Sequence, residues 1–395
     1  MKNTLIKYFL LFLFISAPVF AQQETLPWWL FLEQGKQRFR SGDYGGALLV
    51  FEDARRNRNA MYGQMERDFI HLLSLRELRS TGDALDGVEK FSHERHYTAA
   101  SAALNELFYR VPKDSLNNSA LAALAAIGKL KNYPEAEYWI GEVYRVEGEL
   151  TLALEQYRKA YEMRDLFEDT GFATQLLYKI SGVLMVKQDY SEMINVLLSI
   201  VNNYDTLWVN AGLYDSIGQS AARAGNGVNA PYEQASASFA RKAMTNTLEK
   251  EGVNRFLELY RYNNRQVEQA HRLLGFYYIV SGRDLAQQHL MFAFLIQNTV
   301  IIDEIKRLKY DFAFTSLLDL AGEINKNPLL LSYVNEVEYY KTAYYLASSL
   351  LSGGKLSIAR NIWEFLASVP QAGEWHNRSV SQSRNPALEP ILEKP

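Results

Sequence analysis

Apolar residues recur every three to four positions along almost the whole chain after Thr25, which is the period of an amphipathic α-helix. Most of the ten prolines stand between such runs, for example Pro112, Pro134 and Pro231, where they separate one helix from the next. The sequence lacks alternating, β-branched segments bounded by turn pairs. The pattern therefore predicts an all-α protein.

Small and aromatic residues recur within this helical pattern at a fixed spacing. The first copy consists of Gly35, Gly42, Tyr44, Ala47, Phe51 and Ala54. The same spacing returns in Gly141, Gly148, Leu150, Ala153, Tyr157 and Ala160. Further copies contain Gly275, Tyr278 and Gly282, and then Ala347, Leu350, Gly354, Leu356, Ala359, Trp363 and Leu366. Because small residues let two helices approach and large ones fill the gap between them, each copy predicts a packed helical hairpin.

These residues resemble the tetratricopeptide repeat (TPR), whose consensus places a small residue, Gly, Tyr, Ala, an aromatic residue and Ala at these offsets. Residues 133–163 are particularly similar to repeats of bacterial periplasmic proteins of envelope assembly and division. The copies are spaced irregularly and mostly lie further apart than the roughly 34 residues of a strict array. The resemblance implies a TPR-like α-solenoid of antiparallel helix pairs with a concave groove.

The resemblance also implies which side chains face that groove. In the family, the first helix of each pair lines the concave face. The corresponding positions here are Trp29, Lys36, Phe39, Tyr138, Glu142, Arg145, Arg272, Phe276, Lys341 and Tyr344. Aromatic and Arg side chains anchor many protein interfaces, so a protein or peptide partner in the cell envelope is expected. The alternative for many of the aromatic residues is packing between repeats, which we expect for Trp139.

Residues 1–21 have the pattern of a signal peptide. Lys2 and Lys7 precede an apolar run, and Val19-Phe20-Ala21 fits the cleavage rule. Export to the periplasm, or secretion, is expected, with retention as an anchor as the alternative. The chain has no cysteine, so no lipid anchor on an N-terminal Cys is expected. A net charge of −3 offers no basic excess for nucleic acid.

Two helical regions are predicted after the signal peptide. The first, residues 26–203, is the N-terminal TPR-like solenoid, and the second, residues 204–370, is a divergent TPR-like region rich in tyrosine. A loop rich in Gly and Asn at 224–231 lies in the second region. The polar, Pro-containing tail 371–395 is expected to be mostly disordered.

Motifs for catalysis or cofactor binding are scarce. Gly225 to Ala230 match G-x-G-x-x-A, but a predicted helix precedes them where the dinucleotide fingerprint needs a strand. His93 and His96 stand three residues apart instead of the four of a zinc-protease helix. We therefore expect no cofactor, no metal site and no enzymatic activity.

The sequence favours a periplasmic, non-catalytic scaffold or adaptor that binds protein or peptide partners through its groove in envelope assembly or maintenance. The alternative is an accessory protein of a solute-uptake system, which binds a periplasmic binding protein or a small ligand in its aromatic C-terminal half. An enzyme built on a helical scaffold, as in lytic transglycosylases, would need a further catalytic domain, and no segment remains to form one.

Overall fold

The computed structural model describes residues 26–75, 80–95, 97–169, 171–208, 230–281 and 285–387. Within these ranges the chain forms α-helices, two short 3-10 turns and no strand, so the all-α prediction is confirmed for them. None of the helices in these ranges is both long and apolar enough to cross a membrane. Several predicted features lie outside the described residues, namely the signal peptide 1–21, His96, the Gly225-Asn226-Gly227 motif, Gly282 and the chain end at 388–395.

Contacts between Cα atoms divide the chain into two units, Met1–Leu176 and Leu177–Pro395. The helices of the first unit are α1 Trp28–Arg40, α2 Tyr44–Ser74, α3 Thr81–Arg95, α4 Tyr97–Arg110, α5 Lys113–Asn118, α6 Ala120–Leu130, α7 Pro134–Val146, α8 Leu150–Glu162 and the start of α9 Phe172–Val186, with a 3-10 turn at Arg164–Leu166. The pairs α1/α2, α3/α4 and α7/α8 each pack together.

Close packing within the pairs of the first unit depends on two glycines. A Cβ atom on Gly35 would lie 2.4 Å from the ring of Phe51, and one on Gly141 would lie 2.7 Å from the ring of Tyr157. Both rings are fully buried, so they occupy the space that a larger residue would need. Other residues of the two repeat copies that are fully buried are Ala47, Ala54, Ala153 and Ala160.

The turns between paired helices also require glycine. Gly42 and Gly148 both have φ of +84°, in the left-handed region that glycine adopts without strain. After the first of these turns, the Asp43 carboxylate accepts a hydrogen bond from the Gly46 N–H at 2.9 Å and caps α2. Tyr44 then packs edge-on against Phe39, with ring centres 5.3 Å apart. The repeated glycines therefore fix both the turn and the approach of the helices.

The second unit is arranged around one long buried helix. Every residue from His289 to Ile302 in this helix, α14 (Ala286–Leu308), is buried, which indicates neighbours on all sides of it. Helices α13 (Arg265–Val280) and α17 (Tyr339–Ser352) are among those that pack on it. The helices are the remainder of α9, α10 Tyr190–Tyr204, α11 Ala230–Glu251, α12 Val253–Leu259, α13 Arg265–Val280, α14 Ala286–Leu308, α15 Leu317–Lys326, α16 Pro328–Glu336, α17 Tyr339–Ser352, α18 Leu356–Ala367 and α19 Glu374–Arg384, with a 3-10 turn at Pro370–Ala372.

The later repeat copies also pack as hairpins in this unit. A Cβ atom on Gly275 would lie 2.6 Å from Leu290 across the α13/α14 pair. Fully buried residues of the α17/α18 pair are Ala347, Ala359 and Trp363.

The chain differs from the predicted organisation at two places. The division between units falls after Leu176 and not near Asn203, because α10 packs on α13 of the second unit. The tail predicted to be disordered instead forms α19 over Glu374–Arg384. Trp375 holds this helix, since its ring packs on Tyr344 and Tyr345 with centres 5.3 and 5.6 Å away. One large aromatic anchor in a polar segment is a weak sequence signal.

Candidate partner-binding surface

Four aromatic side chains form a continuous, half-buried row in the first unit, which we call the aromatic strip: Phe39, Trp139, Tyr138 and Phe172. The ring centres of Phe39 and Trp139 are 5.4 Å apart, and those of Trp139 and Tyr138 are also 5.4 Å apart. Tyr138 meets Phe172 edge-on at 4.8 Å. These spacings fall in the favourable range for aromatic pairs, so each ring restrains the next while part of it stays in contact with solvent.

The strip rests on the same residues that fill the glycine gaps. Phe51 stacks beneath Trp139 at 5.8 Å between ring centres, and Tyr157 stacks beneath Tyr138 at 5.9 Å. Both supporting rings are fully buried. The sequence features that build each hairpin therefore also fix the position of the strip.

Two basic side chains border the strip. The Nζ of Lys36 lies 5.9 Å from the centre of the Trp139 ring and 2.6 Å from Glu33 Oε1. Arg145 donates to both carboxylate oxygens of Glu142, at 3.3 and 2.9 Å. The bond to Glu142 raises the pKa of the Arg145 guanidinium. The surface therefore combines aromatic rings with two cationic side chains, each of which is fixed in place by a neighbouring glutamate.

Glu142 does not face an open groove as the repeat frame predicts. It is 4% exposed, and its carboxylate accepts a hydrogen bond from the Tyr157 hydroxyl. Burial, and then the bond to the Glu142 carboxylate, raise the pKa of Tyr157 far above its usual range. Glu142 is thus an interior acceptor that holds Arg145 and Tyr157.

The predicted groove residues of the second unit are mostly interior as well. Arg272, Phe276 and Tyr344 are buried, and Lys341 is half-buried with its Nζ 4.8 Å from the Phe276 ring centre. They do not form an open surface, because neighbouring helices cover the faces that the family frame assigns to a groove. Trp29 of the first unit is half exposed, but it lies ten residues before Phe39, about 15 Å along α1. The structure therefore brings together Lys36, Phe39, Tyr138 and Arg145.

Arg272 belongs to a buried ionic network. Its Nε donates to Glu268 Oε1 at 3.1 Å, and another of its nitrogens contacts Glu338. Glu268 also accepts from Gln297 Nε2 at 2.7 Å. Burial raises the pKa of Glu268, while the Arg272 charge opposes that shift. Removing one member of a buried ion pair leaves an uncompensated charge and destabilises the fold, so Arg272 stabilises the interior of the unit.

A second buried polar cluster contains two histidines, and sequence reasoning missed it. His271 Nε2 lies 2.8 Å from Asp205 Oδ2, and His271 Nδ1 lies 2.9 Å from His289 Nδ1. Tyr262 donates to the other oxygen of Asp205 at 2.6 Å, and the Trp208 ring packs 4.0 Å from the His289 ring. These residues are far apart in the sequence, so no local sequence motif predicts that they form a cluster.

The protonation of this cluster follows from its geometry. Burial lowers the pKa of His289 well below its usual value, and the nearby His271 and Arg241 lower it further. In the neutral arrangement that satisfies both bonds, His271 Nε2 donates to Asp205 and His289 Nδ1 donates to His271. Burial raises the pKa of Tyr262 to about 12, while the hydrogen bond with Asn264 opposes that rise. The cluster is closed, since both imidazoles are fully buried.

The candidate catalytic motifs do not assemble into a site among the described residues. His93 lies in α3, with Nδ1 3.2 Å from Ser101 Oγ. No group of three or more His, Asp or Glu side chains in the described ranges is placed to hold a metal ion.

The chain is similar to proteins of two bacterial species. No protein-family model matches the chain. An uncharacterized protein of Treponema pallidum is 22% identical over 357 residues, which is 90% of this chain and 88% of that protein. An uncharacterized protein of Borreliella burgdorferi is 21% identical over 258 residues, 64% of this chain and 78% of that protein. The first similarity extends over both units.

Proposed function

We propose that the protein is an exported, non-catalytic TPR-like solenoid scaffold that binds a protein or peptide partner in the cell envelope. The observation that carries this proposal is the aromatic strip Phe39, Trp139, Tyr138 and Phe172, half-buried on the first unit. Hot spots of protein interfaces are enriched in Trp, Tyr and Arg.

The strip is suited to binding because it is already ordered. Ring–ring contacts of 4.8 to 5.4 Å join its members, and Phe51 and Tyr157 support it from below. A partner would therefore lose little side-chain entropy from this surface on binding. Lys36, beside Trp139, adds a positive charge that would favour a partner with a carboxylate at that end.

The repeat geometry supports the scaffold part of the proposal. Gly35, Gly141 and Gly275 each permit close packing within a hairpin, as the TPR frame requires. The signal-peptide pattern of residues 1–21 supports export.

The test isolates a partner and then measures its affinity. The full mature chain, immobilised, captures a protein from envelope extract, and the purified partner is titrated against variants. Tyr138→Ala and Phe39→Ala should each weaken the Kd about 30-fold, because loss of a central anchor typically removes at least about 2 kcal/mol. Tyr109→Ala is the matched control, since Tyr109 is 90% exposed on α4 and lies outside the strip.

Thermal melts of each variant accompany the titrations, so that a loss of fold is separated from a loss of contact. Equal affinity of the Tyr138→Ala and wild-type proteins would refute the strip as the binding surface. Weakening by Tyr109→Ala would do the same.

A further inference from the structure

The chain leaves α10 through a short turn, residues 205–208, which we call the Asp205 turn. The Trp208 N–H donates to the Asp205 carbonyl at 3.1 Å, and the Asp205 carboxylate accepts the Leu207 N–H at 2.8 Å. The side chains of Asp205 and Trp208 are buried, each of these residues being 2% exposed. The turn is therefore attached to the second unit mainly by one carboxylate and one indole.

Both of these side chains end on the buried histidine pair. Asp205 Oδ2 lies 2.8 Å from His271 Nε2 on α13. The ring centre of Trp208 lies 5.1 Å from that of His271 and 4.0 Å from that of His289 on α14. Phe292 of α14 meets the same indole edge-on at 5.6 Å. The histidine pair is thus the surface on which the turn closes.

Three further titratable groups face this contact from the surrounding segments. The Tyr262 hydroxyl, just before α13, donates to Asp205 at 2.6 Å, and the Tyr278 ring of α13 lies 5.4 Å from the His289 ring. The Arg241 guanidinium of α11 lies 5.1 Å from the centre of the indole ring. With both histidines neutral, the contact therefore holds one negative charge, at Asp205, and one positive charge, at Arg241.

The histidine pair has positions for two ring protons and no suitable position for a third. One proton lies on His271 Nε2, where it bonds to Asp205, and one is shared between the two Nδ1 atoms, which are 2.9 Å apart. Because the facing Nδ1 atoms cannot both carry a proton at that distance, a third proton must go to His289 Nε2. That atom is buried and has no hydrogen-bond partner among the described residues.

The neighbours of His289 Nε2 disfavour an N–H group there. The indole of Trp208 covers the imidazole and is a donor only, and its own Nε1 is buried without a partner among the described residues. Burial, and then the nearby His271 and Arg241, lower the pKa of His289 well below its usual value. The closed turn is therefore compatible with the neutral histidine pair and not with its protonated form.

We propose that the Asp205 turn is a proton-operated latch at the end of α10. When the histidine pair takes up one proton from solvent, His289 Nε2 turns to water, Trp208 leaves the imidazole and Asp205 separates from His271. Helix α14 stays packed, because other helices bury it from His289 to Ile302. The latch regulates how the end of α10 is attached to the second unit, and it does not depend on the proposed partner-binding surface.

Hydrogen exchange of the full mature chain tests the latch, with rates corrected for the intrinsic pH dependence of exchange. Protection of the amides at 205–208 should be constant above about pH 7.5 and should fall about tenfold per pH unit below about 6.5, the change expected for one proton taken up on opening. At each pH the α14 amides should stay better protected than the turn. Protection of the turn that does not change with pH would overturn the proposal. Equal protection of the turn and α14 would show that the whole unit opens, which would also overturn it.

Variants locate the proton. His289→Asn keeps a donor toward His271 Nδ1 but does not titrate, so protection of the turn should become independent of pH. His376→Asn, on α19 of the same unit, is the matched control and should keep the wild-type slope. A wild-type slope in His289→Asn, or a loss of the slope in His376→Asn, would overturn the proposal.

Fluorescence gives a second measurement that remains decisive if His289→Asn does not fold. The difference between the wild-type and Trp208→Phe spectra reports Trp208. Its quenching by acrylamide should be low above about pH 7.5 and should rise below about 6.5, because release of the turn exposes the indole. Quenching that stays constant over this range would contradict the latch.

Discussion

The two units use the same hairpin packing but differ in the exposure of the aromatic side chains on their paired helices. In the first unit, Phe39, Trp139 and Tyr138 stay half-exposed above the buried rings of Phe51 and Tyr157. In the second unit the corresponding face is interior, and Arg272 and Tyr344 are buried. The repeat frame predicts which residues share a helix face, but only the neighbouring helices decide whether that face meets solvent.

The burial of polar groups affects how much stability is lost when one of them is removed. An exposed polar side chain tolerates the loss of its hydrogen-bond partner, because water takes the partner's place. In the buried networks around Arg272 and His271 water cannot take that place, so each member depends on the others. We therefore expect a substitution within these buried networks to cost more stability than the loss of a partly exposed ion pair.

The largest expected effect comes from breaking the buried ion network. Arg272→Ala leaves Glu268 buried without its cation and should lower the free energy of unfolding by about 3–5 kcal/mol. Arg55→Ala in the first unit is the comparison, because Arg55 is one-third exposed and Glu137 keeps Lys159 at 2.6 Å. That change should cost less than about 1 kcal/mol. Urea denaturation measures both, and equal effects would contradict the expected difference between a buried and a partly exposed cation.

A smaller effect is expected from filling the glycine contacts, and here the two units should behave alike. Gly141→Ala and Gly275→Ala each place a Cβ atom within 2.7 Å of a packed side chain and should destabilise by about 1–3 kcal/mol. Gly128→Ala and Gly322→Ala are the controls, since nothing lies within 4 Å of a Cβ atom at either helical position. Thermal melts should show the controls unchanged or more stable, and a loss at the controls as large as at the contacts would show that the hairpin contacts are not responsible.

The stability of the second unit should depend on pH through the buried His289. Because the folded-state pKa of His289 lies below its unfolded value of about 6.5, folding favours the neutral imidazole. Its contribution is complete above about pH 7.5 and is lost as the pH falls below 6.5, by at most about 1.4 kcal/mol per pH unit. The loss of stability can be measured in the full chain as faster hydrogen exchange of the α14 amides at lower pH.

Two variants separate His289 from the remaining titrating groups. His289→Asn keeps a donor toward His271 Nδ1 but does not titrate, so it should flatten the pH dependence between 6.5 and 5.5. His93→Asn, at an exposed position in α3, should leave the dependence as it is. An unchanged slope in His289→Asn would exclude the buried pair as its cause.

The smallest expected effect is at the edge of the strip. Lys36→Ala removes a half-buried ion pair with Glu33 one helical turn away and should change the free energy of unfolding by no more than about 0.5 kcal/mol. If the strip binds a partner with an acidic residue at this end, the same variant should lower the association rate and its salt dependence. Stopped-flow measurements at two salt concentrations decide this, and identical rates would remove Lys36 from the surface.

The hairpins could be predicted from the sequence because their packing is local. Gly35 and Phe51 are sixteen residues apart, as are Gly141 and Tyr157. A small residue at a fixed distance from a large aromatic residue can be recognised in the sequence alone. The buried state of Arg272 could not be predicted, because its partner Glu338 lies 66 residues away and Gln297, which bonds to Glu268, comes from α14.

The same limit applies to the candidate sites. Lys36, Phe39 and Tyr138 were predicted to share a surface, whereas Phe172 was missed because it starts a helix outside the recognised copies. His271 lies 66 residues from Asp205, and the spacing of apolar and polar residues in the sequence does not predict a contact over that distance. Helix α19 was missed because its inner face holds Trp375, Ser379 and Gln382, of which only one is apolar.

The most direct test of the aromatic strip as the binding surface is hydrogen–deuterium exchange of the full mature chain with and without its purified envelope partner. We expect slower exchange in the last two turns of α1 and in α7, where Phe39, Tyr138 and Trp139 lie, and no change in α13 around Arg272. Protection of α13 with none in α1 and α7 would contradict the claim that the first unit carries the binding surface.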